Sequence, residues 1–243
     1  MKFNVLKCVV MTTSNKRPPL ILSYTLDQDI LSRQDTIKYL GVTIDNKLSF
    51  KQHILDKTKK ATTVLNLIRR NLHFAPRSVK CKAYMSCVRP IIEYASSCWS
   101  PTSSKLSNRI EMVQHNAAKF ITNQYPRKGH YGDFSITKII EDLQLETLEA
   151  RRNNAKLTMA YKIINDHVIL PPDLLPRQSH NRPIRSCTEV RVGTKHQLYE
   201  PIATLHNPEA TFFYSVPKLW NSLITPEQAA CRSVKAFQSC FQR

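Results

Sequence analysis

Residues 51–72 carry the clearest structural signal in the chain, an apolar stripe at helical spacing. Apolar side chains recur there at three-, four- and seven-residue steps, at Ile54, Ala61, Leu65, Ile68 and Leu72. This spacing puts them on one face of an α-helix, while lysine and arginine occupy many of the other positions. The sequence therefore predicts an amphipathic helix with a cationic outer face.

The positive charge of the chain is concentrated in the same region. The 243 residues include 36 lysines and arginines against 18 acids, a formal net charge of +18. Residues 51–90 contain ten of these cations and one acid, Asp56, so they carry half of the net charge. Charge of this sign attracts phosphate, which makes nucleic acid the leading predicted partner; a solvated basic face is the alternative.

Three histidines fall on predicted helices. His53, His73 and His115 are expected at the surface or in a groove.

The residues before this helix have the character of β-strands. Runs rich in β-forming residues at 5–12, 20–26 and 36–44 are separated by turn-prone segments. Asp45-Asn46 is expected to close the last run as a turn. We therefore expect a short β segment that leads directly into the basic helix.

Most of the remaining chain up to residue 176 is predicted to be helical. Pro76, Ser103 or Ser104, and Ser135 are expected to begin helices, because proline favours the first turn and serine the N-cap. Pro90 is expected to kink or end the helix that starts at Pro76. A longer helix is expected from about residue 146 to residue 165.

The pattern indicates an α+β chain that is mainly α-helical and has four parts. A short β segment is followed by two helical regions and then by a small, mixed C-terminal lobe. These parts are expected at residues 1–50, 51–125, 126–176 and 177–243.

Sequence motifs that would support an enzyme are absent. The chain has four glycines and no glycine-rich phosphate loop, and it has no Asp-Asp dipeptide. Asp27 and Asp29 are better explained by a hairpin turn than by a metal site, and the seven cysteines lack the spacing of a zinc site. We predict no catalytic and no metal-binding residue. An independent enzyme would need two of Asp27, Asp29, Asp35 and Asp45 within about 4 Å of each other.

The sequence also lacks signals for membranes and secretion. No apolar run approaches the roughly 18 residues of a membrane-spanning helix. Lys7 interrupts the apolar stretch at the N-terminus, and the residues that follow offer no small-residue cleavage site for a secretory signal. We expect an intracellular protein, in the cytoplasm, the nucleus or both, without a membrane partner.

Several blocks of sequence point to a known family. Residues 37–45 read Ile-Lys-Tyr-Leu-Gly-Val-Thr-Ile-Asp, residues 88–95 read Val-Arg-Pro-Ile-Ile-Glu-Tyr-Ala, and residues 220–223 read Trp-Asn-Ser-Leu. In order and spacing, these blocks resemble the C-terminal part of the reverse transcriptase of non-LTR retrotransposons of the LINE, jockey-like type. The resemblance extends over nearly the whole chain.

The resemblance implies a place in the polymerase for each part of the chain. Residues 1–50 would be the end of the palm and the next helices a thumb that holds the template–primer duplex. Lys7 would lie near the incoming nucleotide, and Tyr39, Leu40 and Gly41 would form a turn similar to the primer grip. The family's pair of catalytic aspartates would precede Met1. Magnesium would then belong to the missing palm, so we expect no cofactor and no polymerase activity in this chain alone.

Two hypotheses about function follow from these observations. The leading one is a truncated retrotransposon reverse transcriptase that binds RNA and DNA, as a template–primer duplex, without sequence preference. The alternative is a helical protein-interaction module, which would pair with the missing polymerase portion or with another copy of the chain, or a nonfunctional remnant. The residues predicted to contact nucleic acid are Lys7, Tyr39, Leu40, Gly41, Lys57, Lys60, Arg69, Arg70, Lys80 and Lys82.

Overall fold

The computed structural model describes residues 4–13, 22–101, 103–125, 135–170, 198, 200 and 211–241. Within these ranges the chain is mainly helical, with short strands confined to the N-terminal part. This confirms the predicted class at the level of secondary structure. The likeness of the helices to a polymerase thumb and the limits of the four parts stay predictions. Much of the predicted C-terminal lobe, at residues 177–197, 199 and 201–210, lies outside the described residues.

The first strands are much shorter than the predicted runs. A 3₁₀ turn at Val5–Lys7 leads into β1 (Val9–Val10), which pairs in parallel with β4 (Ser32–Arg33). Between them, β2 (Thr25–Leu26) and β3 (Asp29–Ile30) form an antiparallel hairpin. Its turn residues Asp27 and Gln28 have φ values of 49° and 73°. Both values are positive, as a type I′ turn requires, so the expected hairpin at Asp27 is confirmed.

The single strand expected over residues 36–44 is instead a hairpin. Strands β5 (Thr36–Tyr39) and β6 (Val42–Asp45) are antiparallel, with Tyr39 opposite Val42. Leu40 and Gly41 connect them with φ values of 45° and 80°, so the chain reverses direction within the β-rich run. The turn lies at the Tyr39-Leu40-Gly41 segment, where the family resemblance implied one, while its likeness to a primer grip stays a prediction.

Asp45 organises the junction between β6 and the first helix. Its carboxylate accepts hydrogen bonds from the backbone N–H groups of Lys47, Ser49 and Phe50 and from the Ser49 hydroxyl. Helix α1 (Lys51–Asn71) has no side-chain N-cap, since Phe50 takes a left-handed conformation there. Asp45 therefore fixes the turn from which the basic helix starts.

Helix α1 buries the predicted apolar stripe and two further polar side chains. Ile54, Ala61, Leu65 and Ile68 are all buried, which confirms the amphipathic pattern. His53 is buried as well, and its Nδ1 accepts a hydrogen bond from the Thr43 backbone N–H at 3.1 Å. The expectation that His53 lies at the surface or in a groove is wrong, because β6 packs over it.

The helix that starts after Pro76 does not end at Pro90. Helix α2 (Arg77–Ala83) runs into a π-helical turn at Tyr84–Val88 and continues as α3 (Arg89–Glu93). Within the wide turn, the Arg89 N–H donates to the carbonyl of Tyr84, five residues earlier. Proline has no N–H and crowds the carbonyl four residues before it, so we attribute the π-helical turn to Pro90.

The predicted serine caps begin two of the next three helices. Ser103 caps α4 (Ser104–Thr122) and Ser135 caps α5 (Ile136–Asp142), each by accepting a backbone N–H. Helix α6 (Leu148–Ile164) is capped by Thr147 and starts two residues later than predicted. Thr147 supplies the cap that the sequence interpretation overlooked.

Three further helices complete the described part of the chain. They are α7 (Phe212–Leu223), α8 (Pro226–Ala229) and α9 (Val234–Ser239). Their side chains form a second hydrophobic cluster, in which Phe237 stacks on Tyr161 and Trp220 with ring centroids 4.4 and 5.7 Å away.

The described residues thus form two hydrophobic cores, and α6 contributes to both. The first core joins β6, α1 to α5 and the start of α6, through residues from Val42 to Leu148. The second includes Leu157 and Tyr161 further along α6. Of the helices in the described ranges, none is both long and apolar enough to cross a bilayer.

Candidate nucleic-acid interface

The turn between β5 and β6 exposes large apolar side chains. Tyr39 is 64% exposed and Leu40 is 74% exposed, although both are residues that proteins usually cover. We call Tyr39, Leu40 and Gly41 the hairpin tip. Its exposure makes it available to a partner.

Tyr94, at the end of α3, holds the hairpin tip in place. Its hydroxyl donates a hydrogen bond to the Leu40 carbonyl at 2.8 Å. A Cβ atom added at Gly41 would lie 3.2 Å from Tyr94 Cε1. Gly41 therefore fits this position for two reasons, its positive φ and the close approach of the tyrosine ring.

Three lysines lie together beside the hairpin tip. Lys57 Nζ sits 4.8 Å from the centroid of the Tyr94 ring. Burial lowers the pKa of Lys57, and the nearby charges of Lys60 and Lys38 lower it further. None of the three forms an ion pair with a carboxylate in the part of the chain that the structure describes. We call Lys38, Lys57 and Lys60 the tip lysines.

The hairpin tip and the tip lysines form one surface with two chemical properties. The ammonium groups can pair with phosphates, and none of them is ion-paired with a carboxylate of the described residues. Tyr39 and Leu40 can pack against sugars or against the exposed face of a base. The surface is suited to hold a nucleic-acid backbone.

Arg69 and Arg70 belong to a different surface, at the other end of α1. They line an open groove of about 1000 Å³, whose other lining residues are Thr63, Asn66, His73, Phe120 and Tyr125. Lys57 and Arg69 are twelve residues apart on one helix, which corresponds to roughly 18 Å along its axis. We call this depression the α1 groove.

The remaining predicted contact residues are dispersed. Lys80 is buried, and its ammonium donates to Asn123 Oδ1 at 3.1 Å, so it does not reach the surface of the described structure. Lys82 is exposed on α2, and Lys7 is exposed at the end of the first turn. The structure thus brings together Lys57, Lys60 and the hairpin tip. The role of every predicted residue in binding stays a prediction.

Sequence interpretation missed Lys38, Tyr94 and Tyr125. Lys38 and Tyr94 lie inside two of the blocks that carry the family resemblance, but nothing in the sequence showed that these blocks touch. Tyr125 lies just after helix α4. In the structure, its hydroxyl accepts a hydrogen bond from Arg69 Nη2 at 3.4 Å. For Lys38 and Tyr94, the only signal in the sequence was that their two blocks occur in the same chain.

The acidic side chains near the hairpin serve local structure. Asp45 holds the turn that precedes α1, and Asp35 Oδ1 accepts a hydrogen bond from Asn46 Nδ2 at 2.9 Å. Among the described residues, no group of three or more His, Cys, Asp and Glu side chains could hold a metal ion. We assign no catalytic residue.

Two polymerases of Drosophila melanogaster are similar in sequence to this chain. Over 171 residues it is 28% identical to the probable RNA-directed DNA polymerase from transposon BS, a match that covers 69% of this chain and 18% of that protein. Over 152 residues it is 27% identical to the RNA-directed DNA polymerase from mobile element jockey, covering 59% of this chain and 16% of the relative. The chain therefore spans less than a fifth of the length of these relatives. No protein-family model matches the chain, and no solved structure matches it significantly.

Proposed function

This chain is a relative of the RNA-directed DNA polymerases of non-LTR mobile elements, and on that premise we propose that it grips a nucleic-acid duplex without polymerising. The observation that carries the proposal is the surface at the hairpin tip. Exposed Tyr39 and Leu40 lie there beside three lysines, none of which is ion-paired with a carboxylate in the described ranges. A template–primer duplex of RNA and DNA is the proposed ligand.

The tip lysines supply the affinity in this proposal. Each phosphate contact releases condensed counterions, so affinity falls with salt by about 0.9 logarithmic unit per contact on duplex DNA. Three contacts predict a slope of about −2 to −3 for this surface alone. Because Lys57 is already partly desolvated against Tyr94, it loses less hydration when it pairs with a phosphate.

The hairpin tip supplies the position of the duplex in this proposal. Tyr39 and Leu40 have no hydrogen-bonding groups that distinguish one base edge from another in a paired duplex, apart from the tyrosine hydroxyl. Contacts of this kind to sugar and phosphate fix orientation and carry little sequence information. Binding is therefore expected to be nonspecific.

The proposal includes no catalytic step. The sequence contains no Asp-Asp dipeptide, and no group of three or more His, Cys, Asp and Glu side chains among the described residues could hold a metal ion. Phosphoryl transfer in polymerases depends on metal ions that clamp the attacking and leaving oxygens. The chain is proposed to contribute binding alone.

Fluorescence anisotropy with a labelled RNA–DNA hybrid, measured across a salt series, tests the proposal. The double variant Lys57→Ala, Lys60→Ala is expected to lower affinity and to reduce the salt slope by about 1.4–1.8 units. The matched control is Lys105→Ala, Lys235→Ala, which removes the same charge from exposed positions on α4 and α9. Equal losses in both double variants would show that net charge, not the hairpin-tip surface, drives binding. Absence of binding by the unmodified chain at low salt would refute the proposal.

A second candidate function rests on the first strands. Leu22, Tyr24 and Ile30 are 50%, 48% and 74% exposed, and β2 and β3 pair only with each other in the described structure. Exposed apolar strands favour pairing with another chain, such as a further polymerase segment or a second copy. Sedimentation over a range of concentrations should then show self-association that Ile30→Asp abolishes. A monomer at every concentration would exclude the second copy as the partner.

A further inference from the structure

The α1 groove combines groups from two helices and the segment that follows the second. Arg69, Arg70 and His73 come from the C-terminal end of α1 and the residues just after it, while Phe120 lies on α4 and Tyr125 follows that helix. The groove has an open volume of about 1000 Å³. It is separate from the hairpin tip, so its chemistry requires its own explanation.

The electrostatic character of the α1 groove is positive. Among the described residues, its lining includes two arginines and no acidic side chain. Below it, the buried ammonium of Lys80 lies 4.9 Å from the centroid of the Phe120 ring and bonds only the neutral side chain of Asn123. Within the described ranges, none of these cations is paired with a carboxylate. A site of this kind attracts a phosphate group.

The α1 groove also presents an aromatic ring to solvent. Tyr125 is 48% exposed. The Arg69 guanidinium lies 6.0 Å from the centroid of its ring, and Arg69 also donates to its hydroxyl. Arginine at this distance orients a tyrosine ring by cation–π attraction. The result is an aromatic platform held beside phosphate-binding groups.

Phosphate-binding cations beside an accessible aromatic ring are typical of surfaces that bind single strands. A base can stack on an aromatic ring only when its face is free, and within a duplex the faces are covered by neighbouring base pairs. Thr63 and Asn66 add neutral hydrogen-bonding groups to the same groove. The chemistry therefore favours an unpaired strand over a second stretch of duplex.

We propose that the α1 groove binds an unpaired nucleic-acid strand that extends from the duplex at the hairpin tip, an inference that rests on the proposed function. The rise of roughly 18 Å along the axis of α1 between Lys57 and Arg69 corresponds to about five steps of 3.4 Å along one strand. A strand can therefore leave the duplex and reach Tyr125 after a few nucleotides. The phosphates pair with Arg69 and Arg70, and one base stacks on Tyr125.

The test compares a blunt RNA–DNA hybrid with the same hybrid carrying a single-stranded oligothymidine extension. For the unmodified chain, the extension is expected to raise affinity by at least about fivefold, the effect of one stacked base. Tyr125→Ala should lower this gain by about fivefold, because the phosphate contacts of Arg69 and Arg70 remain, and it should leave affinity for the blunt hybrid unchanged. Tyr125→Phe keeps the ring and should keep the gain. Circular dichroism of both variants checks that the fold is intact.

The outcomes separate this inference from the proposed function. If the blunt hybrid binds and the extension adds nothing, the groove proposal is overturned and the duplex-binding proposal stands. If the blunt hybrid does not bind but free oligothymidine does, and Tyr125→Ala loses that binding, the groove stands and the duplex-binding proposal falls. A gain that Tyr125→Ala leaves undiminished also overturns the groove proposal.

Discussion

Replacing Tyr94 with phenylalanine should loosen the hairpin tip without unfolding the protein. The substitution removes one hydroxyl, whose hydrogen bond to the Leu40 carbonyl is 2.8 Å long. The ring remains against Gly41 and beneath Lys57, whose ammonium lies 4.8 Å from the ring centroid. The variant therefore isolates a single contact between α3 and the hairpin.

The expected magnitude follows from the exposure of the acceptor. A hydrogen bond of this type contributes about 0.5–1.5 kcal/mol net. Leu40 is 74% exposed, so water can replace the lost donor and the effect should fall at the lower end, about 0.5–1 kcal/mol. This corresponds to a two- to fivefold increase in the open population of the tip, on the order of the change expected in duplex affinity.

Hydrogen exchange of the backbone amides of Gly41 and Val42, together with anisotropy on the hybrid, measures both effects. Tyr94→Ala should be more severe, because it also removes the cation–π contact of Lys57, worth about 0.5–1 kcal/mol at an exposed site. Tyr24→Phe is the matched control, since it removes a hydroxyl from another exposed tyrosine.

Two results would refute this reasoning. Unchanged exchange at Gly41 in Tyr94→Phe would show that the hydrogen bond does not hold the tip. Faster exchange with unchanged duplex affinity would show that the tip is held but takes no part in binding.

Three further predictions concern stability. Burial, and then the charge of Lys57, lowers the pKa of His53 from 6.5 to about 4, so the unfolded chain binds more protons between these two pH values. The free energy of unfolding should therefore fall by at most about 3 kcal/mol as pH decreases from 6.5 to 4. Denaturant titrations should show a flatter pH profile for His53→Gln than for the unmodified chain. Burial, and then the charge of Arg152, lowers the pKa of Lys156 from 10.5 to about 8. The free energy of unfolding of the unmodified chain, relative to that of Lys156→Met, should therefore rise between pH 8 and 10.5. Identical pH profiles of stability for the two proteins would contradict this. Phe237→Ala should lower the free energy of unfolding by about 3–5 kcal/mol, because the fully buried ring stacks on two aromatic neighbours. Thermal or denaturant unfolding measures this loss. A loss below about 1 kcal/mol would show that the second core is not packed as described.

Local signals in the sequence were sufficient to predict most helices. The stripe of α1 repeats every few residues, and the serines before α4 and α5 cap the backbone within three positions of themselves. Such features depend on neighbours along the chain, so they can be read without knowledge of the fold.

The surface at the hairpin tip and the α1 groove could not be predicted from the sequence, because both depend on contacts between residues that are far apart in the chain. Leu40 and Tyr94 are 54 positions apart, and Arg69 and Tyr125 are 56 positions apart. Lys80 appeared equivalent to its basic neighbours until packing of α2 against α4 turned it inward. Which lysines face solvent was therefore decided by the arrangement of helices and not by composition.

The position of α6 has a mechanical consequence. Its 17 residues form a rod of about 25 Å, with one end fixed in the core that carries α1 and the other in the core formed with α7 and α9. A packed helix resists bending, so this rod acts as a strut between the two cores. A force or a bound molecule that tilts α7 and α9 would be transmitted along α6 to the scaffold beneath the hairpin tip.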